Sequence, residues 1–456
     1  MAFAKELAGR IHAFGNQTPS ADCLHWARMA VADTVGVALA GAITETARIV
    51  HRVAGSGGNG AARLIGMTGR ASAVDAALIN GTAAHALDFD DMTENMMGHP
   101  SVAVLPAALA LGETYGVDGE TLLRAYLIGF ETAAKLGRAV TYDHHQQGWH
   151  STGTLGTFGA TAASAYLCKL DPGRTATALA LACSLSSGLR ANFGTMTKPF
   201  HAGAAARNGV FAALMAKQGF SANGEAFEHP QGFFKVFNEG KTVRPELALQ
   251  GWFEPPEILD PGVCLKLYPC GAHTHPFIEM VRALRDEHGF TLDDVERIEA
   301  LSETSRHNHT NRPQPKGGLD GKFSVQYTMA RTLTDGAPRL EHFTDAAVKE
   351  PRVVEIMARI HAAAHPDLDS SWADKYGGEV AVHLKNGKSH RARIEHQIAR
   401  GPKTPLTEGD LRGKFIDCAG KCLSEPRAES LFDDLMAIER CGNIATVLAK
   451  TAPDAP

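Results

Sequence analysis

Apolar positions recur near a 3.6-residue period through most of the first 250 residues. Leu24–Ala40, Ala71–Ala86, Glu120–Val140, Ala160–Leu170, Ala176–Leu189 and Ala202–Lys217 carry that period, and each predicts a helix. Several are rich in Ala and Leu with few charges, which places them at the centre of a bundle rather than on its surface. Asp171-Pro172-Gly173 and Gly224 punctuate the series as caps and turns. The character changes at Trp252-Phe253-Glu254-Pro255-Pro256, with Pro261 close behind. Prolines at that density mark a domain boundary. Beyond it the pattern predicts a helix near Phe277–Glu287, a strand over Val295–Leu301, a polar stretch Arg306–Lys322, a helix near Val325–Leu333 and helical segments across Ala346–Ala363. Glu379 to Ile394 then alternates about Asn386-Gly387. Asn-Gly supplies the positive φ angles of a type I′ turn, so a β-hairpin is expected. A Gly-Pro-Lys-Thr-Pro linker at 401–405 leads to helices at Glu408–Cys422 and Glu429–Leu448. Periodicity therefore gives a large helical domain, a smaller α+β domain near 263–399 and a helical return. Whether the return rejoins the first domain is not readable from periodicity.

Composition fits this picture. The chain has 456 residues, 44% of them hydrophobic and 7% aromatic, with 46 glycines. Small residues in such numbers suit closely packed helices better than a β-sandwich. Lys and Arg total 45 against 50 Asp and Glu, so no broad attraction to nucleic acid or to an anionic membrane is expected. No stretch reaches the roughly 18 uninterrupted apolar residues of a membrane span; the longest, Val102–Gly112, contains Pro106. The opening MAFAKELAGRIHAF reads as an amphipathic helix start without a secretory signal core. Eight cysteines are scattered without a C-x-x-C pair, as reduced thiols of a cytoplasmic protein would be. Of the 21 histidines, the runs Asp143-His144-His145 and Arg306-His307-Asn308-His309 read as solvated.

Some segments set polar residues among Gly and Pro in a way apolar packing does not require. Asp88-Phe-Asp-Asp91 with Gly98-His99-Pro100-Ser101 offers carboxylates at a helix end and a histidine in an irregular turn, suited to acid–base work. Asp90-Asp91-Met-Thr-Glu94 also has the look of a magnesium-diphosphate site of an isoprenoid enzyme, but such a site needs a second acidic cluster, and none is evident. Gly148-Trp149-His150-Ser151 opens a run in which Gly153, Gly156 and Gly159 alternate with threonines. That run could admit an anion at a helix start or form a close helix–helix contact, and it fits neither a dinucleotide nor a Walker fingerprint. In Met196-Thr-Lys198-Pro-Phe-His201, a lysine before proline is expected on a constrained loop, where it could bind a carboxylate or act as a base; a pyridoxal-phosphate lysine would need a phosphate cup that is not recognisable. Lys266-Leu-Tyr268-Pro-Cys270-Gly-Ala-His273-Thr-His275-Pro lacks the ligand array of a zinc site and fits a cationic pocket at a domain interface.

Taken in order, HALDFDDM, GHPSVAVLPAALALGE, GWHSTGTLGTFGATAASA, SSGLRANFGTMTKPFHAGAAARNG, EHPQGFFKVF, KLYPCGAHTHP and KFSVQYTMA resemble the MmgE/PrpD family. The family includes 2-methylcitrate dehydratase, cis-aconitate decarboxylase and iminodisuccinate epimerase, and TPLTEGDLRGKFIDCA resembles its C-terminal return. The resemblance implies a mainly α protein. Its large all-helical domain, a discontinuous bundle of residues 1–262 and 400–456, would sit beside a smaller α+β domain at 263–399 resembling chorismate mutase. A homodimer is implied, with the active site between the domains and neither cofactor nor metal. Carried over motif by motif, the catalytic residues are His99, His150, Lys198, Lys266 and Tyr327, with Asp88, Asp91, Tyr268 and His275 binding substrate. Decarboxylase-like members carry Thr directly after DFDD and a His soon after the Lys-x-aromatic-Pro segment. Here Met92 stands at the first position, and no His follows Cys270-Gly271 until His273.

The family's substrates are small di- or tricarboxylates with an acidic C–H beside a carboxylate. Cationic groups must stabilise the carbanion as it develops, which Lys198 and Lys266 could do, while histidines or Tyr327 move protons. The expected function is that of a hydro-lyase of the 2-methylcitrate dehydratase kind. Epimerisation of a dicarboxylate such as iminodisuccinate is the alternative, and decarboxylation of the cis-aconitate type a further one.

Overall fold

The computed structural model describes residues 2–55, 60–252, 254–368, 376–396 and 399–454. Phe253 of the proline-marked segment lies outside them. The chain divides into two compact units, Met1–Leu265 with Gly401–Pro456, and Lys266–Arg400. The protein is mainly α, a large helical unit with a smaller α+β unit.

Among the described residues of the larger unit, helices α1 (Phe3–Gly15), α2 (Ala21–Ala42), α3 (Glu45–Ala54), α4 (Ala73–His85), α5 (Ser101–Tyr115), α6 (Gly119–Gln146), α7 (Ser151–Leu167), α8 (Pro172–Leu185) and α9 (Thr197–Lys217) follow one another. Side-chain oxygens cap α2, α3, α4, α6 and α8, from Ser20, Thr44, Ser72, Asp118 and Asp171, satisfying first-turn amides that otherwise have no partner. The unit is not wholly helical, since β1 (Ala62–Arg63) and β2 (Arg70–Ala71) form a small antiparallel ribbon. Helices α5 and α7 are buried almost along their whole length, as their uniform Ala/Leu/Gly composition requires. The C-terminal helix Glu408–Ala419 lies against α2, so the return completes the same core. Among the described residues no single helix is long and apolar enough to cross a membrane.

The smaller unit carries a four-stranded sheet in the order β4-β3-β5-β6, with β3 at Val295–Ser302, β4 at Ile360–Ala364, β5 at Gly378–Leu384 and β6 at Ser389–Ile394. The β5–β6 hairpin forms as expected at Asn386-Gly387, but only Gly387, at φ 82°, is left-handed. The Gly387 amide donates to the Leu384 carbonyl and the Leu384 amide to the Lys388 carbonyl, so the loop is longer than the expected type I′ turn. Helices His275–His288 and Val325–Asp335 bury Phe277, Val281, Met329 and Leu333 in one cluster with Ile298, Val380 and Val382 of the sheet.

Several elements differ from the sequence pattern. Ala346–Ala363 is not helical throughout: a helix covers Pro351–Met357, and Ile360–Ala364 pairs parallel with β3, so sheet pairing overrides local propensity. Glu429–Leu448 breaks after Met436 and resumes at Ala445, where the Asn443 side chain accepts the Ala445 amide. Gly153, Gly156 and Gly159 lie inside α7, where a β-carbon would meet Ser187, Ala103 or Gly129; they are helix contacts. His144 is fully buried, bonded to Asn238 and Thr154 and flanked by Trp149 and Phe237, because the end of α6 is covered by the segment around Phe233–Val236.

Helices α4 and α9 approach each other closely at Gly81 and Gly203. A β-carbon on Gly203 would lie 2.3 Å from both the Leu78 carbonyl and the Thr82 hydroxyl. Gly203→Val should therefore lower stability by about 1–3 kcal/mol, read as a lower urea midpoint. An unchanged midpoint would mean that the helices separate freely.

Candidate active site

His85 is the last residue of α4, and the chain must turn at once to reach α5. It does so through Asp88, whose φ of 53° is left-handed, a conformation Asp tolerates better than most residues. Lys414, from the C-terminal return, holds this turn. Its ammonium donates to the Phe89 carbonyl at 2.7 Å, pairs with Asp33 at 2.5 Å and lies 4.0 Å from the Phe89 ring centre. Phe89 points inward, and Asp90 beside it is completely buried.

Asp90 lies between two histidines. One of its oxygens is 2.9 Å from His85 Nδ1 and the other 2.9 Å from His99 Nδ1, which also donates to the Asp91 carbonyl at 2.7 Å. A carboxylate and a carbonyl only accept. Both imidazoles therefore carry hydrogen on Nδ1, which leaves each Nε2 as the basic nitrogen. Burial alone would raise the Asp90 carboxyl, but His85 and His99 hold it well below the usual range. Burial brings His85 down to about 4, against the pull of Asp90. The group is thus a carboxylate beside a neutral His85 imidazole, with the His99 ring held next to it. The two rings lie 4.6 Å apart.

Further side chains complete the cluster. Lys198 Nζ donates to Asp88 at 2.9 Å, and Asp88 is 3.9 Å from His99 Nε2. His150, buried in front of α7, stacks 5.8 Å from His85 and sits edge-on to Phe193. Its pKa falls well below the ordinary histidine value, by burial first and then by the charges of His85 and Lys198. His150 Nδ1 lies 3.0 Å from His201 Nδ1. Lys198 is not on a loop: it occupies the first turn of α9 with Pro199 after it, where proline's missing N–H costs no helical bond. A cation is disfavoured near a helix N-terminus, and Asp88 offsets that.

Donor atoms of His85, Asp88, Asp90 and His99 all lie within 4.8 Å of one another, close enough to hold a metal ion. A cation there would displace the contacts these same atoms make with Lys198 and with each other.

Asp88, His99, His150 and Lys198 thus come together. Asp91, expected to bind substrate, turns away. It is buried, accepts from the Ser101 hydroxyl and amide, and Ser101 in turn bonds Tyr126. Burial pushes its carboxyl up to about 8 despite the Ser101 bonds. In the smaller unit Lys266, Tyr268 and His275 are buried on one segment. The Tyr268 hydroxyl donates to Glu279 and accepts from Arg282, and its ring is 5.2 Å from that of His275. Tyr327 departs from its expected catalytic place: it is packed into the smaller unit's core, donating to the His342 carbonyl and accepting from Arg331. His85, Asp90, His201 and Lys414 lie inside the quoted motifs but were not among the expected site residues. His85 and Asp90 had a signal, a histidine ending a helix just before an alternating acidic turn. Lys414 had none, because its role depends on a contact between distant segments.

Histidines, carboxylates and an ammonium thus converge at helix ends in a mainly helical protein. Residues 5–246 match the MmgE/PrpD N-terminal domain and residues 268–436 the MmgE/PrpD C-terminal domain; the chain belongs to the MmgE/PrpD family. It is 30% identical to cis-aconitate decarboxylase of Homo sapiens over 393 residues, covering 83% of this chain and 80% of that protein. The mouse (Mus musculus) enzyme of the same name is 30% identical, over 82% and 78%. That of Aspergillus terreus is 25% identical over 453 residues, 94% of this chain and 91% of the relative. These relatives are enzymes of the lyase type.

The folded-state pKa of Asp91 stands above the ordinary carboxyl value, so its stabilising contribution is complete below about pH 4 and is lost as the pH rises towards 8. Asp91→Asn fixes the neutral form. Its stability relative to the native chain should increase from pH 5 to pH 8 in urea unfolding; parallel pH profiles would contradict a protonated Asp91.

Proposed function

We propose that this chain is a lyase acting on a small di- or tricarboxylate by proton transfer beside a carboxylate, and that its reaction is elimination of water, as in 2-methylcitrate dehydration. The observation that carries this reading is the Asp90 carboxylate fixing Nδ1–H on His85 and His99, with the Lys198 ammonium alongside. A substrate carboxylate would exchange with Asp88 for Lys198, whose charge offsets the negative charge developing as the adjacent C–H breaks. His99 Nε2 takes the proton. The electron pair forms the C=C bond as the C–O bond breaks, and the hydroxyl leaves as water with a proton from His150. Dehydration needs a base and an acid, and the cluster offers two separate histidine sets for them: His99 with His85 on Asp90, and His150 with His201. Met92 after DFDD also agrees with dehydration over decarboxylation.

A second reading has its own support. The relatives carrying the name cis-aconitate decarboxylase extend over most of the chain. In that reaction the C–C bond to a carboxylate breaks, carbon dioxide leaves, and one histidine protonates the allylic carbanion.

Proton NMR in heavy water with a polycarboxylate panel separates these readings. A lost C–H signal with new alkene carbon signals in the carbon-13 spectrum (and a vinylic proton only where the substrate keeps one on the new double bond) and no loss of carbon dioxide is the expected outcome. Released carbon dioxide selects the second reading, and diastereomer interconversion without unsaturation would select epimerisation. On the substrate so found, Lys198→Ala and Asp90→Asn should each lower turnover by about 10²-fold or more. Near-normal rates in both would remove this cluster from the chemistry.

A further inference from the structure

His150 is the acid of the proposed reaction, yet it lies in the interior as a neutral imidazole. It retains only 2% of its surface, and its Nε2 has no hydrogen-bond partner among the described residues. A neutral imidazole that gives up its Nε2 proton becomes an imidazolate unless a proton reaches Nδ1 in the same step. The atom placed at Nδ1 is another imidazole nitrogen, His201 Nδ1 at 3.0 Å.

The surroundings hold this pair closely. The His150 amide donates to the Gly188 carbonyl at 2.9 Å. Gly188 has φ 143°, and a β-carbon on it would lie 3.3 Å from the His201 ring and 3.5 Å from His150 Cβ. A larger residue at 188 would drive the rings apart. His201 projects from α9, one turn beyond Lys198, and keeps 7% of its surface open. The groups facing the pair are Lys198, His85, His99 and the Phe193 ring. None of them offers a carboxylate to either Nδ1, so the second histidine is the proton source within reach.

We propose that His201 is the proton-relay residue of this site. It passes its Nδ1 proton to His150 Nδ1 while His150 Nε2–H protonates the departing hydroxyl, and it is reprotonated from water at its more open side. Charge and protons balance: one proton enters at His201, one leaves from His150 Nε2 with the hydroxyl, and His150 stays neutral. The proposal rests on the dehydratase reading, but its structural premise can be tested without a substrate. With ¹⁵N-labelled histidine, NMR should show a nitrogen–nitrogen coupling across the Nδ1–Nδ1 hydrogen bond, lost in His201→Asn; its absence in the native protein overturns the relay whatever the reaction proves to be. On a turned-over polycarboxylate, His201→Asn keeps a hydrogen-bonding group near His150 but carries no proton. It should lower kcat by about 10²-fold with KM nearly unchanged, and added imidazole should restore part of the loss. His201→Ala should behave alike and be rescued more strongly. Near-native turnover in the Asn variant, or a loss in both that imidazole does not relieve, would leave His201 a packing or positioning residue and overturn the relay. If no polycarboxylate is turned over while the coupling is present, the dehydratase reading fails and the hydrogen-bonded pair stands.

Discussion

The arrangement of this site depends on one buried anion. A carboxylate with no exposure is costly unless it is paired and hydrogen-bonded, and Asp90 accepts the His85 Nδ1–H and pairs at 2.9 Å with the His99 ring of a second segment. His85 comes from the end of α4, and His99 from the approach to α5. The chain between them has to bend back on itself within a few residues, hence the left-handed Asp88. Lys414 then fastens the peptide next to Asp90. The C-terminal return therefore supports the turn that carries Asp90, although it lies more than 300 residues away in the chain: its lysine neutralises Asp33 and fixes the Phe89 carbonyl.

The second requirement is closeness. His85, Lys198, His201 and His150 sit on α4, α9 and the start of α7, helices whose side chains could not meet at ordinary spacing. Gly81 against Gly203, and Gly153 against Ser187 and His201, remove the β-carbons that would separate the helices. The abundance of glycine and alanine therefore has a chemical consequence as well as a packing one. It lets short imidazoles touch across helix boundaries without long, flexible side chains to span the gap, so less conformational entropy opposes their alignment.

Legibility in the sequence followed the range of the interactions. The bundle helices and the existence of the Asn386-Gly387 hairpin were readable because local period agrees with the final structure, although only the glycine of the turn is left-handed. β4 was not, since Ile360–Ala364 is a strand only through its pairing with β3. Of the site, the residues flanked by Gly or Pro stood out: His99, His150 and Lys198. Their partners did not. Asp91 reads the same as Asp90 along the chain, yet the turn sends one to the histidines and the other to Ser101 and Tyr126. Tyr327 likewise sits in a persuasive motif, but Arg331 one turn later and the His342 carbonyl take up its hydroxyl. His144 looked solvated because it follows an Asp and precedes another His; the aromatic cover around Phe233 and Phe237 lies some ninety residues on.

Desolvation acts differently on the two histidine sets. It keeps His85 and His150 neutral, which suits a base but means that an acid giving up its one N–H must receive another proton in the same step. The Asp90 carboxylate answers the problem for the base by stabilising positive charge on whichever ring receives the proton. Among the described residues no carboxylate performs that service for His150, whose Nδ1 meets an imidazole instead. A His–Asp pair stores a proton, whereas a His–His pair conducts one. A site holding one of each can remove a proton at one place and deliver another elsewhere without a charged imidazole persisting at the second. That asymmetry matches a net elimination, in which the abstracted and delivered protons sit on different substrate atoms. A decarboxylase would need only one of the two sets.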